Sequence, residues 1–189
     1  MIWLIVAVVV VVLVVGLLLL SGGAVYKAIF SPEHYVEFAQ RLAKSKQAAC
    51  NMIGNLEETE SPLDDPRMFL TSAGMAVMYS VDSAEGDAGY VHHLSLSIAG
   101  RRTPAAVGRS YLLYISRLLG IEPDRMQFGV SPMTVHHCEF LLNEGEQAAF
   151  AAQAIEVPSL EAAKQIHREC CDEALKMHVP LVDPIAEGT

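Results

Sequence analysis

Tyr90–Ile98 reads YVHHLSLSI. Successive side chains on a strand point to opposite sides, so Tyr90, His92, Leu94, Leu96 and Ile98 share one face. Val91, His93, Ser95 and Ser97 share the other. One apolar face beside a polar one predicts an antiparallel strand with a covered side and a wetter side. Upstream, Met75–Val81 alternates weakly and predicts a second strand, with Asp82–Gly89 as the connecting loop. Downstream, Thr103-Pro104 opens a helix that runs to about Gly120, with Val107, Tyr111, Tyr114, Ile115 and Leu118 as its buried stripe. Arg125–Val130 and Met133–Leu142 form a predicted hairpin around Ser131-Pro132. Asn143-x-x-Glu146 has the form of a capping box and starts a short helix through about Gln153. Ser159 caps a last helix, Leu160–Met177.

The predicted fold is α+β. Strand-strand-helix occurs twice in succession, which gives a roughly four-stranded, mainly antiparallel sheet with helices packed on one face. The second strand of each unit carries Val-His-His, at 91–93 and at 135–137.

The N-terminal fifth differs from the rest. Ile2–Leu20 (IWLIVAVVVVVLVVGLLLL) holds no charged residue. A helix of this length is roughly 28 Å long, close to the ~30 Å hydrocarbon thickness of a bilayer. Trp3 at one end and Tyr26 and Lys27 past the other are interface-seeking side chains. The rival reading is a cleaved signal peptide, for which Ser21-Gly22-Gly23-Ala24 offers small residues. The run lacks a preceding Lys or Arg and exceeds the roughly 7–15 apolar residues of a signal core, which favours a retained single-pass anchor. Lys27, Arg41, Lys44 and Lys46 follow the span and no basic residue precedes it. The positive-inside rule then puts the N-terminus outside and the domain in the cytoplasm. The four cysteines form no recognisable disulfide framework, in keeping with a reducing compartment.

Ser31-Pro32-Glu33 starts another helix, with Tyr35, Phe38, Leu42, Ala49 and Met52 at helical spacing. This helix either lies on the membrane, with Arg41, Lys44 and Lys46 toward anionic headgroups, or packs on the domain. Asn55–Arg67 carries five acids and two prolines and reads as a linker. The chain therefore divides into an anchor (1–24), a juxtamembrane helix (25–54), an acidic linker (55–67), an α+β domain (68–178) and a loose tail (179–189).

The chain has 189 residues, is 52% hydrophobic and has a formal net charge of −9. That excludes a disordered chain and a disulfide-stapled miniprotein, and an acidic domain lacks the basic face that nucleic acid requires. GxSxG, HExxH, CxxC, EF-hand and phosphate-loop motifs are all missing from the sequence. Three constellations remain. Arg101 and Arg102 precede a helix N-terminus and Arg109 follows in it, an arrangement suited to an anion or an acidic partner. His92, His136 and Cys138 fall on the apolar faces of two predicted strands and would form a three-ligand metal set if the register joined them. His167 and Cys170-Cys171 share the last helix, with Cys170 in its packing stripe.

The expectation is a non-catalytic, single-pass accessory or structural subunit of a larger membrane protein complex. Its partners would be the bilayer and other integral membrane subunits, with no cofactor and no nucleic acid. The alternatives are a tethered binding module for an anionic ligand or lipid headgroup at Arg101/Arg102, and a His/Cys metalloprotein.

Overall fold

The computed structural model describes residues 31–53, 64–84, 89–98, 105–130 and 135–176. Helix α1 (Pro32–Asn51) begins as the sequence predicts, with Ser31 extended at the N-cap, Pro32 in the first turn and Glu33 behind it. Next come the strands β1 (Met68–Leu70), β2 (Met75–Ser83) and β3 (Tyr90–Ile98), then helix α2 (Ala105–Leu119). A 3-10 turn (Pro123–Arg125) leads into the hairpin of β4 (Gln127–Val130) and β5 (Val135–Leu142). Helices α3 (Glu144–Ala152) and α4 (Leu160–Ala174) complete the domain.

All five strands are antiparallel to their neighbours, in the order β1-β2-β3-β5-β4. The sheet thus has one strand more than the sequence predicts. The extra strand, Met-Phe-Leu, is too short to show alternation, and it is held by the turn that follows it. There Thr71 donates its N–H to Met75 O, the Thr71 hydroxyl accepts from Met75 N, and Gly74 takes φ +80°. Gly89 is required for a different reason. A Cβ there would sit 2.2 Å from Leu142 O, where the start of β3 meets the end of β5.

The predicted alternation holds. Met75, Val77 and Tyr79 of β2, His92, Leu94 and Leu96 of β3, and His136, Cys138, Phe140 and Leu142 of β5 are all buried on one face. Helices α1, α2 and α3 cover that face, and α4 packs mainly on α1 and α2. The opposite face is open. Val91, His93, Ser95 and Ser97 are half-exposed, and Met78 and Leu141 are exposed.

Helix α1 corrects the predicted domain plan. It is part of the α+β domain rather than a separate juxtamembrane element. Tyr35, Phe38, Ala39 and Leu42 have no exposed surface. Phe38 meets Phe69 edge-on at 5.7 Å, and Tyr35 stacks on Tyr111 at 5.2 Å. Burying each large apolar side chain contributes roughly 1.5–3 kcal/mol, far more than a headgroup contact offers. The linker is also shorter than predicted, because Asp65 and Arg67 already belong to the fold. The Asp65 carboxylate accepts from Arg67 N and Nε, and Arg67 O accepts from the Ser45 hydroxyl.

The capping signals are realised closely. Glu146 N donates to Asn143 Oδ1 and Asn143 N donates to Glu146 Oε2, so the α3 capping box is complete. Ala162 N donates to Ser159 Oγ at the start of α4. Among the described residues no helix is long and apolar enough to cross a membrane. The predicted anchor and its interface residues Trp3, Tyr26 and Lys27 lie outside the described residues, as does the predicted tail at 179–189.

Candidate functional site

The strand register decides the fate of the predicted metal set. His92 lies opposite Phe140, Leu94 opposite Cys138 and Leu96 opposite His136. All three candidate ligands do share the covered face. But His92 and His136 are displaced by four residues along the strands, about 13 Å at the rise of a β-strand. Antiparallel pairing causes this, because it sends the matching Val-His-His segments toward opposite ends of the sheet. The structure therefore does not bring His92, His136 and Cys138 together, and no metal-holding group of His, Cys, Asp and Glu occurs among the described residues. Burial and the neighbouring Glu139 push the Cys138 thiol up to about 12, so it is not a thiolate at neutral pH.

His92 instead closes a buried polar chain. Its Nδ1 lies 2.8 Å from the Tyr79 hydroxyl and its Nε2 lies 2.6 Å from Gln147 Oε1. A carboxamide oxygen only accepts, so Nε2 carries the proton and donates, and Nδ1 accepts from Tyr79. The Gln147 amide nitrogen faces Cys50 Sγ at 3.9 Å. The imidazole stacks on Phe140 at 4.7 Å and meets Phe150 edge-on at 5.0 Å. Burial lowers its pKa to about 4, against a smaller opposing effect of the Gln147 bond. This ring is neutral, doubly bonded and sealed, which describes a structural histidine.

Lys46 follows from the packed placement of α1, one of the two that the sequence allows, and faces inward. Its Nζ donates to Phe150 O at 2.6 Å and Gln153 O at 2.5 Å, and it sits 4.1 Å from the Phe150 ring centroid. These carbonyls end α3, where the ammonium gives Gln153 O a donor, adds a second donor to Phe150 O beside Gln153 N, and meets the negative end of the helix dipole. Burial lowers its pKa.

His136 occupies the matching position in the other unit and has a contrasting environment. It is 1% exposed, and neither ring nitrogen has a hydrogen-bond partner among the described residues. Its ring lies flush against the first turn of α2. A Cβ on Gly108 would fall 2.2 Å from His136 Nδ1. The next residue, Arg109, is half-exposed, and its Nε is buried with no partner among the described residues. Arg101 and Arg102 lie outside the described residues.

The open face carries a cluster that the sequence reading passed over. His93 Nδ1 lies 3.1 Å from Glu139 Oε1, and His93 Nε2 lies 3.4 Å from Asp82 Oδ2. His137 lies beside them, its ring across Gly129. Alternation already placed His93 and His137 on the wetter face, but only the register aligns Glu139 with His93. All three groups are solvated and no cleft encloses them. At α4, burial pushes the Cys170 thiol up to about 12 and raises that of Cys171, whose Sγ lies 3.7 Å from His167 Nδ1. Neither thiol is activated.

Shallow clefts open on the described surface. One of about 590 Å³ lies between α2 and α4 and is lined by Tyr114, Leu118, Val157, Pro158, Ala162 and Ile166. One of about 380 Å³ adjoins Gly120, and one of about 300 Å³ adjoins His34 and Glu37. The last of these brings Ser31 and Ser72 together with His34 and Glu37, and there the Ser72 hydroxyl donates to Glu37 Oε2 while His34 Nδ1 lies 3.5 Å from the same oxygen. The chain matches no protein-family model, no curated protein and no solved structure.

Proposed function

We propose that this chain is a non-catalytic accessory subunit of a larger membrane protein complex, held by a single span over Ile2–Leu20 and acting through contacts of its α+β domain. The observation that carries this reading is the open sheet face. Met68 pairs with Met78, Ser95 with His137, and Val91 with Leu141, so side chains of these residues form one broad surface with no helix of the described residues upon it. Exposed Leu70, Met78 and Leu141 supply apolar area. Ser95 and Ser97 of the central strand β3 keep the middle of that surface low, which lets a partner approach closely. The sealed His92 network and the unactivated thiols support a structural role over a catalytic one.

The orientation, with the N-terminus outside and the domain in the cytoplasm, rests on Lys27, Arg41 and Lys44 after the span. The fold buries Lys46 against the end of α3, so it is not counted among them. The test places a charge on the face. Met78→Glu with Leu141→Glu, in the full chain expressed in its own membrane, should abolish stoichiometric co-purification and leave the circular dichroism and melting temperature intact. Undiminished recovery of a partner with the double variant would reject this face, and a wild-type chain with no partner would reject the reading.

A further inference from the structure

The acids of the open sheet face carry an inference that rests on the role proposed for that face and names the chemistry of what covers it. His93 stands opposite Glu139 across β3 and β5, and Asp82 lies in the next row of the same face, opposite Val91. His93 Nδ1 is 3.1 Å from Glu139 Oε1, and its Nε2 is 3.4 Å from Asp82 Oδ2. A neutral imidazole has a single N–H. It donates to one of these carboxylates and turns a lone pair toward the other. One carboxylate therefore receives no donor from the ring that faces it. The side chains of Asp82 and Glu139 are 62% and 41% exposed, so a group arriving from outside reaches both.

The described residues of this face include no lysine or arginine. The two arginines at its margins are already engaged. Arg67 grips the Asp65 carboxylate just before β1, and Arg125 pairs with Glu146 and donates to Leu141 O just before β4. Apolar side chains lie on both sides of the acids. Val91 and Leu141 continue the row of Asp82, and Met78, paired with Met68, lies in the row beyond His93.

We propose that the open face receives a segment of a protein partner that carries lysine or arginine between apolar residues. The cation meets Glu139 and Asp82 and supplies the donor that His93 cannot, and the apolar residues cover Met78 and Leu141. Opposite charge across the contact fixes the register of the partner and speeds its arrival. A second copy of this chain applied face to face has no cation on that face to offer. An anionic membrane surface is repelled by the same carboxylates.

The test uses the full chain, isolated with its partner from its own membrane in mild detergent, with affinity read by dilution of the complex. Asp82→Asn with Glu139→Gln removes both charges, keeps the side-chain shapes and lies at exposed positions. It should weaken the association at least about tenfold near 0.05 M salt. The wild-type complex should weaken steeply as salt rises toward about 0.5 M, and the double variant should lose most of that dependence. Glu139→Gln alone should weaken it severalfold and serves if the double variant does not fold. Met78→Asn with Leu141→Asn removes apolar area without adding charge and should also release the partner. Wild-type affinity and salt dependence in the charge variant, with release by the Asn pair, overturns the cationic partner and leaves the face standing. Retention of the partner by both double variants overturns the face and this inference with it. A partner that proves to be a second copy of this chain overturns the inference alone.

Discussion

Strands β3 and β5 carry the same three residues, Val-His-His, lie side by side and turn the same middle residue into the core. Yet the two buried histidines have opposite surroundings. His92 has a partner on each nitrogen and an aromatic ring on its face. His136 has a glycine on its face and no bonded nitrogen among the described residues. A buried imidazole is therefore not one kind of object. Where Tyr79 and Gln147 complete it, it is a hydrogen-bonded strut of the core, and where no described residue does, it is held by packing alone. The difference lies in what the adjoining helix supplies, a glutamine from α3 in one case and a glycine from α2 in the other.

The most damaging way to break the comparison is at the His92 end. His92→Ala removes a packed ring and strands Tyr79 Oη and Gln147 Oε1 in the core. The expected loss is about 3–5 kcal/mol, read by urea unfolding of the full chain in micelles. Acid should act on the same ring. Its folded pKa of about 4 lies below the ordinary value near 6.5, so the folded state binds fewer protons between these limits. The stabilisation is fully present above about pH 6.5 and is lost as pH falls toward 4, on the order of 3 kcal/mol in all. His34, His136 and His167 are shifted in the same direction by burial and should steepen the slope. A pH titration of stability in His92→Phe should be visibly shallower than in wild type.

Lys46→Met tests the support behind His92, because Lys46 ties α1 to the end of the helix that presents Gln147. Gln153 O would lose its donor and Phe150 O one of its two, and about 1–3 kcal/mol should disappear in the same unfolding assay. At the other end, Gly108→Ala drives a methyl group into the His136 ring and should cost about 1–3 kcal/mol. Combining it with His136→Ala should recover part of that loss, and strict additivity in this double-mutant cycle would deny the contact. The smallest effect sharpens the comparison most. His136→Phe should change stability by less than about 1 kcal/mol, or raise it, because it removes buried nitrogens that have no partner among the described residues.

The sequence carried much of this architecture because local signals and tertiary structure agree. Asn143 and Glu146 announce a capping box that forms, and the period-two pattern of Tyr90–Ile98 names the buried face correctly. What it lacked was register and neighbours. Alternation shows that His92 and His136 face inward, but only strand pairing shows that they stand four residues apart. Met68–Leu70 is too short for a pattern, and only the Thr71–Gly74 turn that follows it pairs it with β2. The sequence left Lys46 between a headgroup contact and a place on the domain, because the carbonyls that receive it lie more than a hundred residues along the chain. Gly108 offered no signal, since its meaning depends on the ring that fills its space.

The claim that this chain works as an anchored accessory subunit is tested most directly by native mass spectrometry of the full chain, released gently from its own membrane. The account predicts a stoichiometric complex in which this chain retains its first twenty-four residues and is bound to at least one integral membrane protein. A chain that runs alone, or one that lacks those residues, would contradict it.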